Sequence, residues 1–107
     1  MKAMQIATSG ISTSNVASMN ANTSPVNIEI VVRVTGACTY NVEYTLDDIF
    51  SPTFTQAAAT WFNHPTLAAA QTTTKDCQIT WPVTGIRINQ TAGAGSSATT
   101  VLQAGLI

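Results

Sequence analysis

Two stretches of the chain, residues 27–34 and 37–46, alternate between apolar and polar side chains, with an exception at Val31. The apolar positions that share one face are Ile28, Ile30, Val32 and Val34 in the first stretch and Cys38, Tyr40, Val42, Tyr44 and Leu46 in the second. A period of two residues indicates a strand with one face buried and the other exposed. Because only the short break Thr35-Gly36 separates them, we expect the two strands to pair as an antiparallel hairpin.

Shorter alternating segments follow toward the C-terminus. Residues 61–64, 76–81, 84–91 and 98–104 predict further strands, and turn-forming residues separate them. The alanine-rich segments at 56–60 and 67–70 are too short to form independent helices. The pattern therefore predicts an all-β fold, an antiparallel β-sandwich of jelly-roll-like type.

The first 26 residues differ from the rest of the chain. They are small and polar without a sustained period, apart from a short possible strand at residues 4–8. Ordering such a segment costs backbone entropy that few apolar side chains offset. We therefore predict an extended N-terminal arm or irregular segment at 1–26, ordered against a neighbouring subunit, and a β-sandwich domain at 27–107.

The chain carries very few charges. Four basic and five acidic residues make up 8% of its 107 positions, against roughly 25% in an ordinary soluble domain. A net charge of −1 without a basic cluster argues against nucleic-acid binding. No apolar run reaches the ~18 residues of a membrane span, and the start lacks the apolar core of a secretory signal. A weakly charged, threonine-rich surface instead favours self-association or docking on a larger assembly.

Residues with catalytic or ligand chemistry are sparse. His64 is the single histidine; it is either a base or metal ligand, or a histidine at a strand end. Asp47-Asp48 is either a carboxylate pair or an ordinary turn. Cys38 and Cys77 are either buried thiols, which we favour, or a cross-strand disulfide. We predict no catalytic, cofactor-binding or metal-binding residue, no cofactor and no enzymatic activity.

Four residues are candidates for contacts with a partner. Trp61 and Phe62 are neighbours in a short strand and point to opposite sides, so one of them is expected at the surface as an interface anchor. His64 ends the same strand, and Val31 is the one apolar residue on the polar face of its strand. The other aromatic residues considered for a sugar-stacking platform are expected inside: Tyr40, Tyr44 and Trp81.

Four segments carry a family resemblance: YTLDD at 44–48, ATWFNHP at 59–65, WPVTGIRIN at 81–89 and TTVLQAG at 99–105. Together they resemble small virion proteins of tailed bacteriophages, over residues 28–105. The resemblance implies a rigid β-domain that decorates or cements the capsid shell. Its expected partners are the major capsid protein and further copies of itself, as a homo-oligomer, in a virion assembled after synthesis in the host bacterial cytoplasm.

Three other functions remain as alternatives. A tail or head–tail adaptor subunit belongs to the same structural class but occupies another site on the particle. A host-glycan-binding module would use an exposed Trp61 or Phe62. A hydrolase is the least supported alternative, because the chain has one histidine and no nucleophile or metal-binding motif.

Overall fold

Nine β-strands form the regular structure of residues 2–20, 24–68 and 70–106, which the computed structural model describes. The strands are β1 (Lys2–Ser9), β2 (Ser12–Thr13), β3 (Ala17–Ser18), β4 (Ser24–Thr35), β5 (Thr39–Thr45), β6 (Phe62–Asn63), β7 (Lys75–Ile79), β8 (Gly85–Ala92) and β9 (Ser96–Leu106). All six segments predicted to be strands from alternation correspond to observed strands, namely β4, β5, β6, β7, β8 and β9.

The strands form two antiparallel sheets that pack face to face. The first sheet has the order β1-β9-β4-β7, and the second has the order β2-β8-β5-β6, with β3 also paired to β8. When β2 and β3 are counted as one interrupted strand, each sheet has four strands. The strand orders of the two sheets are then those of a jelly roll. The predicted antiparallel β-sandwich is therefore confirmed.

The predicted hairpin between residues 27–34 and 37–46 is wrong. β4 pairs with β7 and β9 in the first sheet, whereas β5 pairs with β6 and β8 in the second. Between them, Gly36 has a φ of +75°, and the chain crosses from one sheet to the other. Alternation fits both arrangements, because the apolar faces of two strands can meet across a core as well as lie side by side.

Three such crossings lie together at one end of the sandwich. Gly10 stands between β1 and β2, Gly36 between β4 and β5, and Gly93 and Gly95 between β8 and β9. The Gly95 N–H donates to the Ala37 carbonyl (2.7 Å), and the Gly10 N–H donates to the Gly95 carbonyl (3.0 Å). The three turns therefore support one another through their backbones.

The predicted N-terminal arm is wrong for residues 2–20, although the short strand expected at residues 4–8 is confirmed within β1. β1 pairs with β9 along its whole length, from Lys2 opposite Gln103 to Ser9 opposite Ser96. β2 and β3 pair with β8, so this part of the chain completes both sheets. The physical reason is that β1 buries Ile6 together with polar Thr8. Residues 1 and 21–23 of the predicted arm lie outside the described residues.

The core lies between the sheets and is filled mainly by branched aliphatic side chains. Its fully buried members include Ile28, Ile30, Val32, Tyr40, Val42, Leu67, Ile79, Ile86, Ile88 and Val101. Cys38 and Cys77 are both buried and free, which confirms the expectation of two buried thiols. Near the crossings, buried Gln90 donates to the carbonyls of Gly93 (3.2 Å) and Gly95 (3.0 Å), and its own oxygen accepts from Thr8 (2.7 Å).

Candidate functional site

An aromatic cluster links the two sheets at one edge of the sandwich. Phe62 on β6 lies opposite Tyr44 on β5, and their rings stack with centroids 5.8 Å apart. Trp81, which follows β7 of the other sheet, meets Tyr44 edge-on at 5.7 Å and stacks on His64 at 5.7 Å. We call these four residues the aromatic edge.

His64 is the buried member of the aromatic edge and connects the end of β6 to β7. Its side chain is only 3% exposed. The Nδ1 atom accepts from the Thr66 N–H (3.1 Å), so the ring proton is on Nε2, which donates to the Gln78 carbonyl on β7 (2.8 Å). Both ring nitrogens therefore serve the fold, which matches the interpretation of a strand-end histidine. His64 is one of the four residues predicted to contact a partner, and its side chain is buried within its own domain.

Beside the aromatic edge lies an apolar cleft of about 290 Å³. It is lined by Asn20, Val26, Ile28, Leu46, Pro82, Val83, Thr84 and Gln103. Leu46 and Pro82 stand two and one positions after Tyr44 and Trp81, so the cleft continues the aromatic edge. Leu46 is 57% exposed and Phe62 is 46% exposed. The expected inward position of Leu46 is wrong because β5 ends at Thr45.

Trp61 has a different environment from Phe62. Its ring is half-buried beneath the Arg87 guanidinium, whose Cζ lies 4.2 Å from the ring centroid. The indole N–H donates to the Gln56 carbonyl (2.9 Å), and Arg87 Nε donates to Glu43 Oε1 (2.7 Å). Of the two neighbouring aromatic residues, Phe62 is thus the more accessible, while Trp61 covers an ion pair.

The Arg87–Glu43 pair is largely shielded from water, with side chains 13% and 12% exposed. Replacing Arg87 by methionine would leave the Glu43 carboxylate without its cation and remove the cation above Trp61. We expect Arg87→Met to lower the free energy of unfolding by about 2 kcal/mol, measured by urea denaturation.

Arg33→Met provides the matched control, because Arg33 is exposed and bonds to the hydroxyl of Thr100 (2.8 Å). This control is expected to cost less than about 0.5 kcal/mol. Equal losses in the two variants would contradict a special role for the shielded pair.

The structure does not bring Val31 to the aromatic edge. Val31 is half-buried on the outer face of the first sheet, where it lies opposite Asp76 and Thr100. The contact roles of Trp61, Phe62, His64 and Val31 stay predictions.

The acidic pair lies in the loop between β5 and β6. The Asp47 carboxylate accepts from the Thr60 N–H (2.8 Å), and the Asp48 carboxylate accepts from the Phe50 N–H (3.1 Å). Both interactions order the loop, in keeping with the turn interpretation. Within residues 2–20, 24–68 and 70–106, no three His, Cys, Asp or Glu side chains group as metal ligands.

The described part of the chain has no helix long and apolar enough to cross a membrane. No family model matches the sequence, and comparisons with curated proteins and with solved structures also gave no match.

Proposed function

We propose that this protein is a structural subunit of a tailed-bacteriophage virion that decorates or cements the capsid shell. The observation that carries the proposal is the exposed apolar surface made by Phe62, Leu46 and the adjoining cleft. A contiguous apolar patch on a soluble domain commonly marks a site of protein–protein contact. Here it occupies one edge of the sandwich, where a neighbouring protein can cover it.

The surroundings of this surface suit a contact more than a reaction. The ring nitrogens of His64 and the carboxylates of Asp47 and Asp48 accept or donate bonds within the fold. With 8% charged residues, an interface on this protein desolvates few ionic groups. By analogy between folds, the proposal is in keeping with the recurrence of jelly rolls in viral capsid proteins.

Copy number in purified particles tests the proposal directly. We expect this chain at a near-stoichiometric ratio to the major capsid protein, measured by quantitative mass spectrometry of purified virions. A handful of copies per particle would instead support the tail or head–tail adaptor. Absence from particles would overturn a structural virion role.

Phe62→Ser tests the surface that carries the proposal. Because an anchor at the centre of an interface contributes about 2 kcal/mol or more, we expect at least a roughly ten-fold loss of binding to particles that lack the chain. Leu46→Ser is expected to weaken binding in the same direction. The measurement is co-sedimentation of purified protein with such particles, together with a thermal melt to show that folding is retained.

Phe50→Ser is the matched control for this experiment. Phe50 is 76% exposed, but it belongs neither to the aromatic edge nor to the lining of the cleft. Its replacement is expected to leave binding unchanged. Equal binding by all three variants would contradict the assigned surface, and glycan binding lost in Phe62→Ser would support the glycan-binding alternative.

A further inference from the structure

β1 is a long edge strand without the usual protection against pairing. Its eight residues pair with β9 in one uninterrupted register, and no described strand lies on its other side. The segment contains no proline, and Lys2 at its start is its one charged residue. Natural sheet edges commonly carry charges, prolines or bulges that prevent association with another chain.

The other sheet edges of the described chain are short or charged. β7 is the opposite edge of the first sheet and carries exposed Lys75 and Asp76. In the second sheet, β6 has two residues, and β2 and β3 have two residues each. β1 therefore differs from them in combining length with an almost uncharged sequence.

The backbone geometry shows which groups β1 presents outward. Gly10 and Gly95 continue the register in which Ser9 of β1 lies opposite Ser96 of β9. The Gly10 N–H donates to the Gly95 carbonyl, so residues at even positions of β1 form the hydrogen-bonded pairs with β9. Backbone groups alternate sides along an antiparallel strand, so even-numbered residues bond toward β9 and Ala3, Gln5 and Ala7 direct their backbone groups to the open edge. The side chains of these three residues are exposed and uncharged, which leaves room for a close neighbour.

We propose that β1 pairs with β1 of a second copy of this chain, antiparallel, across a two-fold axis at Gln5. Side chains that face each other must lie on the same side of the sheet, so Gln5 meets its own copy and Ala3 meets Ala7 of the second copy. On the inner side, Met4 meets Ile6 of the second copy. The two four-stranded sheets thereby become one sheet of eight strands.

Charge and topology favour this occupant. Lys2 falls opposite Thr8 of the second copy, so the pairing brings no like charges together. β1 and β7 are opposite edges of the first sheet, and Trp81 of the aromatic edge lies two residues after the end of β7. Dimerisation at β1 therefore leaves both aromatic edges free and gives the dimer two docking surfaces. The inference goes beyond the proposed virion role and does not depend on it.

Sedimentation velocity of the full chain over a range of concentrations tests the pairing. We expect a dimer of twice the 11.2 kDa chain mass that dissociates on dilution. Gln5→Pro removes one outward N–H from each copy while leaving the bonds to β9, and it is expected to raise the dimer dissociation constant about 10- to 100-fold. Gln5→Lys places two ammonium groups across the axis and is expected to act in the same direction.

Gln78→Lys is the matched control, because Gln78 is an exposed residue on the other edge strand, β7. It should leave the dissociation constant unchanged, and circular dichroism melts check that each variant folds. A wild-type chain that is monomeric at every concentration would overturn the proposal. A dimer that survives both Gln5 variants unchanged would overturn it as well.

Cysteine cross-linking tests the register. In the proposed pair the two Gln5 Cα atoms are about 5.5 Å apart, within the range that a disulfide spans. Gln5→Cys is therefore expected to form a covalent dimer under copper-phenanthroline oxidation, whereas Ala7→Cys alone is not. Mixed Ala3→Cys and Ala7→Cys chains should cross-link to each other, and preferential self-linking of Ala7→Cys would overturn this register.

The outcome is separable from that of the proposed function. A monomeric chain that is abundant on particles would overturn the strand pairing and leave the capsid role standing. A dimer cross-linked at Gln5→Cys but absent from particles would support the strand pairing and overturn the capsid role.

Discussion

Gly95→Ala is expected to destabilise the domain by about 3 kcal/mol or more, because overpacking against a rigid neighbour forces the backbone to move. A Cβ atom at this position would lie 2.6 Å from the Ala37 carbonyl oxygen and 2.8 Å from the Ala37 nitrogen, and closer still to the Thr35 carbonyl. These atoms belong to the β4–β5 crossing, so they cannot rotate away as a flexible side chain would. Thermal denaturation should show a melting temperature lowered by more than about 10 °C.

Gly10→Ala is the control that separates contact from conformation. Gly10 has a φ of +67°, but a Cβ atom there would meet nothing within 4 Å. The expected cost is about 1 kcal/mol, that of holding alanine in a left-handed conformation. If Gly10→Ala proved as damaging as Gly95→Ala, the close approach of the two crossings would not be the reason for the glycine at 95.

Alternation located the strands but not their partners. β4 and β5 were visible in the sequence because each buries one face, and the period of two records this burial directly. Which strand lies beside them depends on whether Thr35-Gly36 turns within a sheet or between sheets. Gly36 at φ +75° permits the crossing, and the backbone of Gly95 completes it. That support comes from about sixty residues further along the chain and leaves no local signal.

The sequence pattern does not predict the full extent of β1, because part of the buried face of this strand is polar. Thr8 is only 5% exposed, and its hydroxyl contacts the Gln90 side chain at 2.7 Å and the Ser97 hydroxyl at 2.6 Å. Burying a threonine hydroxyl costs free energy unless it finds such partners. Both partners lie more than eighty positions away in the sequence. The local pattern of this segment therefore predicts a polar arm instead of a strand.

The candidate site could be predicted only in part. Opposite orientations of Trp61 and Phe62 in a short strand indicated that one of them is exposed, and the structure identifies Phe62 as the more accessible. The cleft gave no signal, because its lining comes from separate segments around Asn20, Val26, Leu46 and the residues after Trp81. Only the folded topology brings these segments to one edge.

The domain is expected to lose stability steeply as the pH rises above about 9. Burial, with smaller contributions from the charges of Glu29 and Asp76, raises the pKa of the Cys77 thiol from 9.0 to about 12. Burial, followed by the charges of Cys38 and Cys77, raises the pKa of Tyr40 from 10.0 to about 12.

The sign follows from the protons that each state holds. Both groups are neutral when protonated, and the native state retains these protons up to about pH 12, whereas the unfolded chain releases them from pH 9 or 10 upward. The contribution is fully present below pH 9 and is lost as the pH rises toward 12. By pH 11, urea denaturation should show a loss of about 3 kcal/mol relative to pH 8.

Cys77→Ala isolates the larger of the two contributions. Without the thiol, the loss between pH 8 and pH 11 should shrink by about half or more, because Cys77 has the larger shift and the earlier onset in the unfolded chain. Tyr40 remains, and its hydroxyl still donates to the Thr73 carbonyl (2.8 Å), so some alkaline loss persists. A wild-type protein as stable at pH 11 as at pH 8, or an unchanged pH profile in Cys77→Ala, would contradict this account.

Labelling with a thiol reagent at pH 8 adds an independent check, since both buried cysteines should react only when the sheets separate.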